Sequence, residues 1–180
     1  MLWLPSRPMK TLIAFFVTFC MTLPNAKYAE KRLEPNARAA IEVVEEEGPI
    51  PFKGKTLEEQ KTKTVGVMLV FAFFESAMTA DVAGDGGRSC GVLQVNALFV
   101  GVPCKRLRGD LKTGYSYGLR LMKYSIIKCG DFEAGLGMYA TGKCGGAMGL
   151  VHRRLKLLEK LPAAPPPAPS ASASAVPTDS

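Results

Sequence analysis

Between Thr64 and Phe74 the chain reads Thr-Val-Gly-Val-Met-Leu-Val-Phe-Ala-Phe-Phe, without one charge, and the stretch ends on Glu75. A helix that is apolar all round is a buried one. Upstream, Thr56-Leu57-Glu58-Glu59 has the capping-box pattern that opens a helix, so the spacing predicts one long helix from near Thr56 to Glu75. A shorter helix is expected over Asn36–Glu47, stopped by Gly48-Pro49, with loop over 49–54. Further on, Gly84-Asp85-Gly86-Gly87-Arg88-Ser89 is turn chemistry, and Cys90–Asn96 reads as a short strand. Helical texture returns over 110–128, 131–142 and 147–160. In the last of these Leu150, Val151, Leu155, Leu157 and Leu158 form an apolar face, with Arg153, Arg154 and Lys156 expected largely opposite. No internal repeat is present. The predicted fold class is mostly α, an α+β helical domain interrupted once by a small Gly-rich β-hairpin.

The two ends differ from the middle. Residues 11–23 are uncharged and mostly apolar, behind Arg7 and Lys10. That arrangement describes a secretory signal, with Ala26 and Ala29 as candidate cleavage points. Thirteen residues fall short of the ~20 that span a bilayer. From Pro162 to Ser180 the chain holds six Pro, six Ala and four Ser, a composition that cannot repay its ordering entropy. The expected organisation is a signal at 1–26, an N-terminal helix and loop at 27–55, a folded domain at 56–161 and a disordered tail at 162–180.

Composition narrows the class. Over 180 residues, 47% are hydrophobic and 22% charged, which excludes a disordered, collagenous or multi-span chain. Net charge is +7, so a polyanionic partner suits it. One His leaves little room for His-based metal sites. With Cys20 in the presumed signal, Cys90, Cys104, Cys129 and Cys144 remain. Four cysteines in a small exported domain read as two disulfides; of the three connectivities, sequence neighbours are chosen, Cys90 with Cys104 and Cys129 with Cys144. Loops near 15 residues give ~3 kcal/mol each in the chain-entropy model. No C-x-x-C or paired His supports zinc instead.

The chemistry centres on Glu75. Desolvation penalises a carboxylate, so a Glu backed by Phe71, Phe73 and Phe74 is placed to keep its proton and to deliver it to a leaving oxygen. The plainer alternative is a Glu that ends its helix and points to solvent. Other patterns are weaker. Gly87-Arg88-Ser89-Cys90-Gly91 matches G-x-S-x-G but lacks the strand before and helix after. His152 sits on an Arg- and Leu-rich helix, where a surface or packing role is expected. The Asp81–Gly86 run has Ala83 and later Val92 at calcium-ligand positions. The basic runs at 105–108 and 152–154 suit an anionic wall polymer; no stacking platform or recognition motif supports nucleic acid.

Glu75-Ser76, the run from Gly84 to Cys90-Gly91-Val92-Leu93-Gln94-Val95-Asn96, and Ala134-Gly135-Leu136-Gly137-Met138-Tyr139-Ala140-Thr141-Gly142 together resemble the catalytic segments of goose-type lysozymes and soluble lytic transglycosylases. The likeness covers about residues 57–160. It implies a lysozyme-like domain that cleaves the β-1,4 bond between N-acetylmuramic acid and N-acetylglucosamine in peptidoglycan, with Glu75 as general acid and base. It also implies that Gln94 contacts the glycan or Glu75 and that Tyr139 faces the cleft. Ser76 and Ser89 are hydrogen-bonding candidates on the substrate side, as is Asn96, which stands where goose-type lysozymes carry a second Asp. Asp85 stands where they carry the first. As a base it would make the enzyme an inverting hydrolase; as a residue of Gly84-Asp85-Gly86-Gly87 it is equally a turn former.

The reading expected is a lytic transglycosylase that needs no metal or cofactor, exported to the periplasm or beyond, and monomeric. Its partner would be peptidoglycan strands, with a secretion or envelope apparatus as a further candidate. The alternatives are the hydrolase that uses Asp85 and a non-catalytic module that binds glycan or a secretion partner.

Overall fold

The computed structural model describes residues 7–162. Within them the chain is mostly helical, with α1 (Arg7–Met21), α2 (Glu30–Glu47), α3 (Leu57–Ser76), α4 (Ala97–Val100), α5 (Cys104–Leu107), α6 (Leu111–Cys129), α7 (Phe132–Thr141) and α8 (Met148–Leu158). Three two-residue strands, β1 (Ala83–Gly84), β2 (Ser89–Cys90) and β3 (Val95–Asn96), form one antiparallel sheet in that order. The fold is thus mostly α with a small Gly-rich sheet, as expected.

α3 is the centre of the molecule. Thr56 starts it through the expected capping box: its hydroxyl accepts from the Glu59 amide at 3.3 Å, and Glu59 returns a bond to the Thr56 amide at 2.9 Å. Every residue from Thr64 to Ala72 is buried. A helix without a wet face must be covered on all sides, and α1, α2, α6 and α8 cover this one. The one hydroxyl in that stretch is satisfied, since Thr64 donates to the Gln60 carbonyl and accepts from the Ile50 amide. Gly66 supplies the clearance for α8: a Cβ there would stand only 3.1–3.2 Å from the Leu161 and Leu158 methyls.

α2 begins at Glu30, six residues before the expected start, and runs through Pro35. Proline removes a helical donor, but Leu33 on the near side and Ala37 on the far side are both buried, and packing carries the helix across. Asn36 then joins three elements. Its amide donates to the Arg32 carbonyl at 2.8 Å and to the Met78 carbonyl at 3.0 Å, while its oxygen accepts from the Tyr115 hydroxyl at 2.7 Å. Met78 and its neighbour Ala77 lie in left-handed backbone, at φ 62° and 50°. The bond from Asn36 holds that turn at the point where α3 gives way to the sheet.

The expected strand over Cys90–Asn96 is corrected to two strands and a turn. β2 ends at Cys90, the chain reverses through Gly91–Gln94, and Val95 pairs back with Cys90. Gly91 is required here: it lies at φ 76°, and a Cβ would run into the Leu107 carbonyl oxygen. Gln94 closes the turn at φ 47°. Helices α7 and α8 fall within the expected ranges, and α6 runs one residue past its own, to Cys129. The Asp110 and Asp131 side chains cap α6 and α7 by accepting from the Thr113 and Ala134 amides. On α8, however, Arg154 is buried rather than opposite the apolar face.

Cys90–Cys104 ties β2 to α5, and Cys129–Cys144 ties the end of α6 to the segment before α8, with Cα separations of 5.4 and 5.6 Å. Two disulfides belong to a non-reducing compartment. Cys20 is free and buried, and burial pushes its thiol up to about 12, which keeps it unreactive.

The segment expected to be a signal forms α1, about 22 Å long at 1.5 Å per residue. No helix among the described residues is long and apolar enough to cross a membrane. Phe16, Phe19, Cys20 and Leu23 recur at helical spacing and are buried in the core, as are the two candidate cleavage residues, Ala26 and Ala29. Of the expected Pro/Ala/Ser tail, 163–180 lies outside the described residues. Because Phe16 is fully buried, Phe16→Ala in the intact chain is expected to cost about 3–5 kcal/mol in denaturant unfolding. A mature protein that lacks α1 would show no difference between the two.

Candidate active site

Glu75 lies at the end of α3, one residue before its last position. It opens on a cleft of about 380 Å³ whose walls include Asp85, Ser89, Gln94, Asn96 and Tyr139. Five of the six other residues singled out in the sequence therefore meet Glu75 in one cavity, although they are up to 64 positions apart along the chain, Tyr139 being the most distant. Ser76 is not among the lining residues. Its hydroxyl donates to the Val92 carbonyl at 2.7 Å and to the Ala72 carbonyl at 3.1 Å, so it fastens the β2–β3 turn to α3.

Each remaining side chain has a definite local partner. Asp85 sits at φ 50° at the start of a tight 3-10 turn, and its Oδ2 accepts from the Ser89 hydroxyl at 2.5 Å. Gln94 spends its amide donors on the Gly91 and Val82 carbonyls, at 2.9 and 3.4 Å. Its Oε1 lies so close to Gly84 that a Cβ there would be 2.6 Å away. Asn96 caps α4 by accepting from the Phe99 amide at 3.0 Å. Tyr139, on α7, donates its hydroxyl to the Leu93 carbonyl and meets the Phe71 ring edge-on at 5.9 Å. Burial pushes its phenol well above the usual value, the Glu75 charge adds to this, and Arg154 opposes it.

The apolar setting expected for Glu75 needs correction. Its Oε1 accepts from Arg154 Nη1 at 2.5 Å, with the Arg154 side chain 6% exposed and that of Glu75 22%. The guanidinium carbon lies 4.7 Å from the Phe71 ring centre and 5.6 Å from that of Phe74. Phenylalanine surrounds the pair, but a cation stands between aromatic wall and carboxylate. The sequence carried a signal for this: Arg154 is four residues from both Leu150 and Leu158, and therefore on the apolar stripe.

Seven further lining residues are not among those singled out as site residues, Ala140, Thr141 and Gly142 next to Tyr139 and four others. Leu121 and Met138 form an apolar wall, Ser125 presents a buried hydroxyl that no described group bonds, and Phe99 stands half-exposed at the rim. Phe99 and Leu121 continue into a shallow depression shared with Tyr117 and Tyr124, where the Phe99 and Tyr124 rings are 5.6 Å apart. Among the described residues no group of His, Cys, Asp and Glu side chains is arranged to hold a metal ion. The arrangement offers two carboxylates in one cleft, one paired to a cation and one held by a hydroxyl, with an aromatic shelf beside them.

Comparison with family models, with curated proteins and with solved structures returns no match for this chain.

The phenols provide a check on the site. Tyr115 and Tyr139 are both shifted upward, each chiefly by burial. A group whose folded pKa is raised contributes stability below the unfolded value, and that stability is lost as pH rises past it. Unfolding free energy is expected to fall as pH climbs above about 10, the free tyrosine value. Tyr139→Phe should leave the 295 nm titration of the folded protein unchanged while flattening this fall in stability.

Proposed function

We propose that the protein is an exported peptidoglycan lytic transglycosylase with Glu75 as acid and base. The observation that supports this most directly is the gathering of Glu75, Asp85, Ser89, Gln94 and Tyr139 around one cleft at the end of a buried helix. The net charge of +7 suits an anionic wall polymer by steering. The shelf beyond Phe99 gives a long strand somewhere to lie, and the disulfides fit a periplasmic or extracellular setting.

In the proposed reaction Glu75 gives its proton to the glycosidic oxygen as the bond from that oxygen to C1 of N-acetylmuramic acid breaks. The bonding pair leaves with the oxygen. The 6-hydroxyl of the same sugar then attacks C1, and its proton returns to Glu75. A 1,6-anhydro end forms, no water is consumed, and Glu75 is restored. One acid/base group suffices, which agrees with Asn96 standing where a second Asp is carried by the goose-type lysozymes that the sequence resembles.

Asp85 favours a second reading. Its carboxylate lines the same cleft and is oriented by Ser89, as a residue that activates water for inverting hydrolysis would be. Mass spectrometry of muropeptides released from purified peptidoglycan separates the readings. Wild type is expected to release anhydro-ended products, Glu75→Gln to be slower by about 10²–10⁴-fold, and Asp85→Asn to keep the product type. Reducing-end products that disappear in Asp85→Asn would establish the hydrolase. Release no greater than that of folded Glu75→Gln would leave a glycan-binding module.

A further inference from the structure

Arg154 is the one charged residue among those described that is buried, at 5% exposed. Enclosing a guanidinium carries a large desolvation cost, and an apolar side chain of similar size would fill the space as well or better. Its contacts show what the cost secures. Nη1 reaches Glu75 Oε1 at 2.5 Å. The Phe71 and Phe74 rings lie beside the guanidinium, their centres 4.7 and 5.6 Å from its carbon. The head group is thus aimed at one carboxylate oxygen, and its buried Nε is left without a partner among the described groups. Helix α8, which carries it, is seated by Val151 in the core and by the close approach of Leu158 to Gly66.

We propose that Arg154 is the positioning residue of Glu75, an inference that rests on the acid and base role proposed above. With Oε1 held by Arg154, Oε2 is the oxygen that carries the proton into the cleft. A neutral carboxyl satisfies both demands at once: its carbonyl oxygen accepts from the guanidinium while its hydroxyl donates to the glycosidic oxygen. As the proton leaves, negative charge develops on the carboxyl beside a cation already in place. In the return step the same carboxylate, still oriented, takes the proton of the 6-hydroxyl. In the bond-cleaving step this stabilisation grows toward the transition state, so it acts on kcat more than on KM.

The test uses the intact oxidised protein on soluble peptidoglycan strands. Arg154→Met keeps the packing against Phe71 and Phe74 and removes the charge. It is expected to melt cooperatively, to lose kcat by about 10²–10³-fold and to keep KM within about twofold. Arg154→Lys restores part of the loss, because an ammonium supplies charge without the planar fork. A folded Arg154→Met at wild-type kcat, or one altered in KM alone, makes Arg154 a structural plug and overturns the proposal, leaving the role of Glu75 intact. Should Arg154→Met fail to fold, Arg154→Lys carries the test: reduced kcat at unchanged KM supports the proposal and wild-type kcat overturns it. Wild type that releases no more than Glu75→Gln overturns both readings together.

Discussion

Nine consecutive buried residues in α3, Thr64 to Ala72, leave that helix no face for water, and the arrangement of the rest follows from that constraint. Each side of that buried stretch must be covered by another helix, so the two ends of α3 are the places where this helix can present a polar group to water. The N-terminal end is used for the capping box. At the other end Glu75 is the first charged residue after Lys63, and the cleft begins there. A carboxylate at a helix C-terminus faces the negative end of the helix dipole. The guanidinium of Arg154, brought in by α8, offsets that unfavourable position.

Around this end the backbone is held from three sides. Asn36 bonds the Met78 carbonyl just past α3, Ser76 bonds the Val92 carbonyl in the β2–β3 turn, and Tyr139 bonds the Leu93 carbonyl next to it. The last two hydroxyls grip consecutive carbonyls of the same turn. The sheet, two residues per strand, has too few ladder bonds to locate itself. Its position is set by these side chains, by the Cys90–Cys104 disulfide, and by the contact of Gly91 with α5. That explains why the turn tolerates left-handed backbone at Gln94: surrounding structure over-determines it.

What the sequence made legible is what local chemistry decides. The capping box at Thr56, the Gly-rich turn and the neighbouring cysteine pairs all lie within about fifteen positions of their partners. The rest depends on partners distant in sequence. The start of α2 before Asn36 depends on packing that buries Leu33 and Ala37 on either side of Pro35. Residues 11–23 satisfy a signal and an amphipathic core helix equally, because Phe16, Phe19 and Leu23 recur at helical spacing within an apolar run. Ser76 and Tyr139 both carry hydroxyls, and only the fold shows that each bonds a carbonyl of the β2–β3 turn while Tyr139 alone also lines the cleft. Arg154 reads as a wet-face residue by its charge, although its spacing from Leu150 and Leu158 puts it on the apolar stripe.

The pairing of Arg154 with Glu75 also bears on what Asp85 does. In the proposed reaction the sugar develops positive charge at C1 as Glu75 becomes a carboxylate. That carboxylate is already balanced by Arg154, so it offers little net field to the cation. Asp85 is the other carboxylate in the cleft; a hydroxyl rather than a cation holds it, and it is free to oppose positive charge. Electrostatic stabilisation of a developing charge needs such a group fixed beforehand, and the bond from Ser89 fixes it. Asp85 therefore has work in a transglycosylase without activating water. The distinction between transglycosylation and hydrolysis then turns on which nucleophile reaches C1, the sugar's own 6-hydroxyl or a water beside Asp85, rather than on whether a second carboxylate is present.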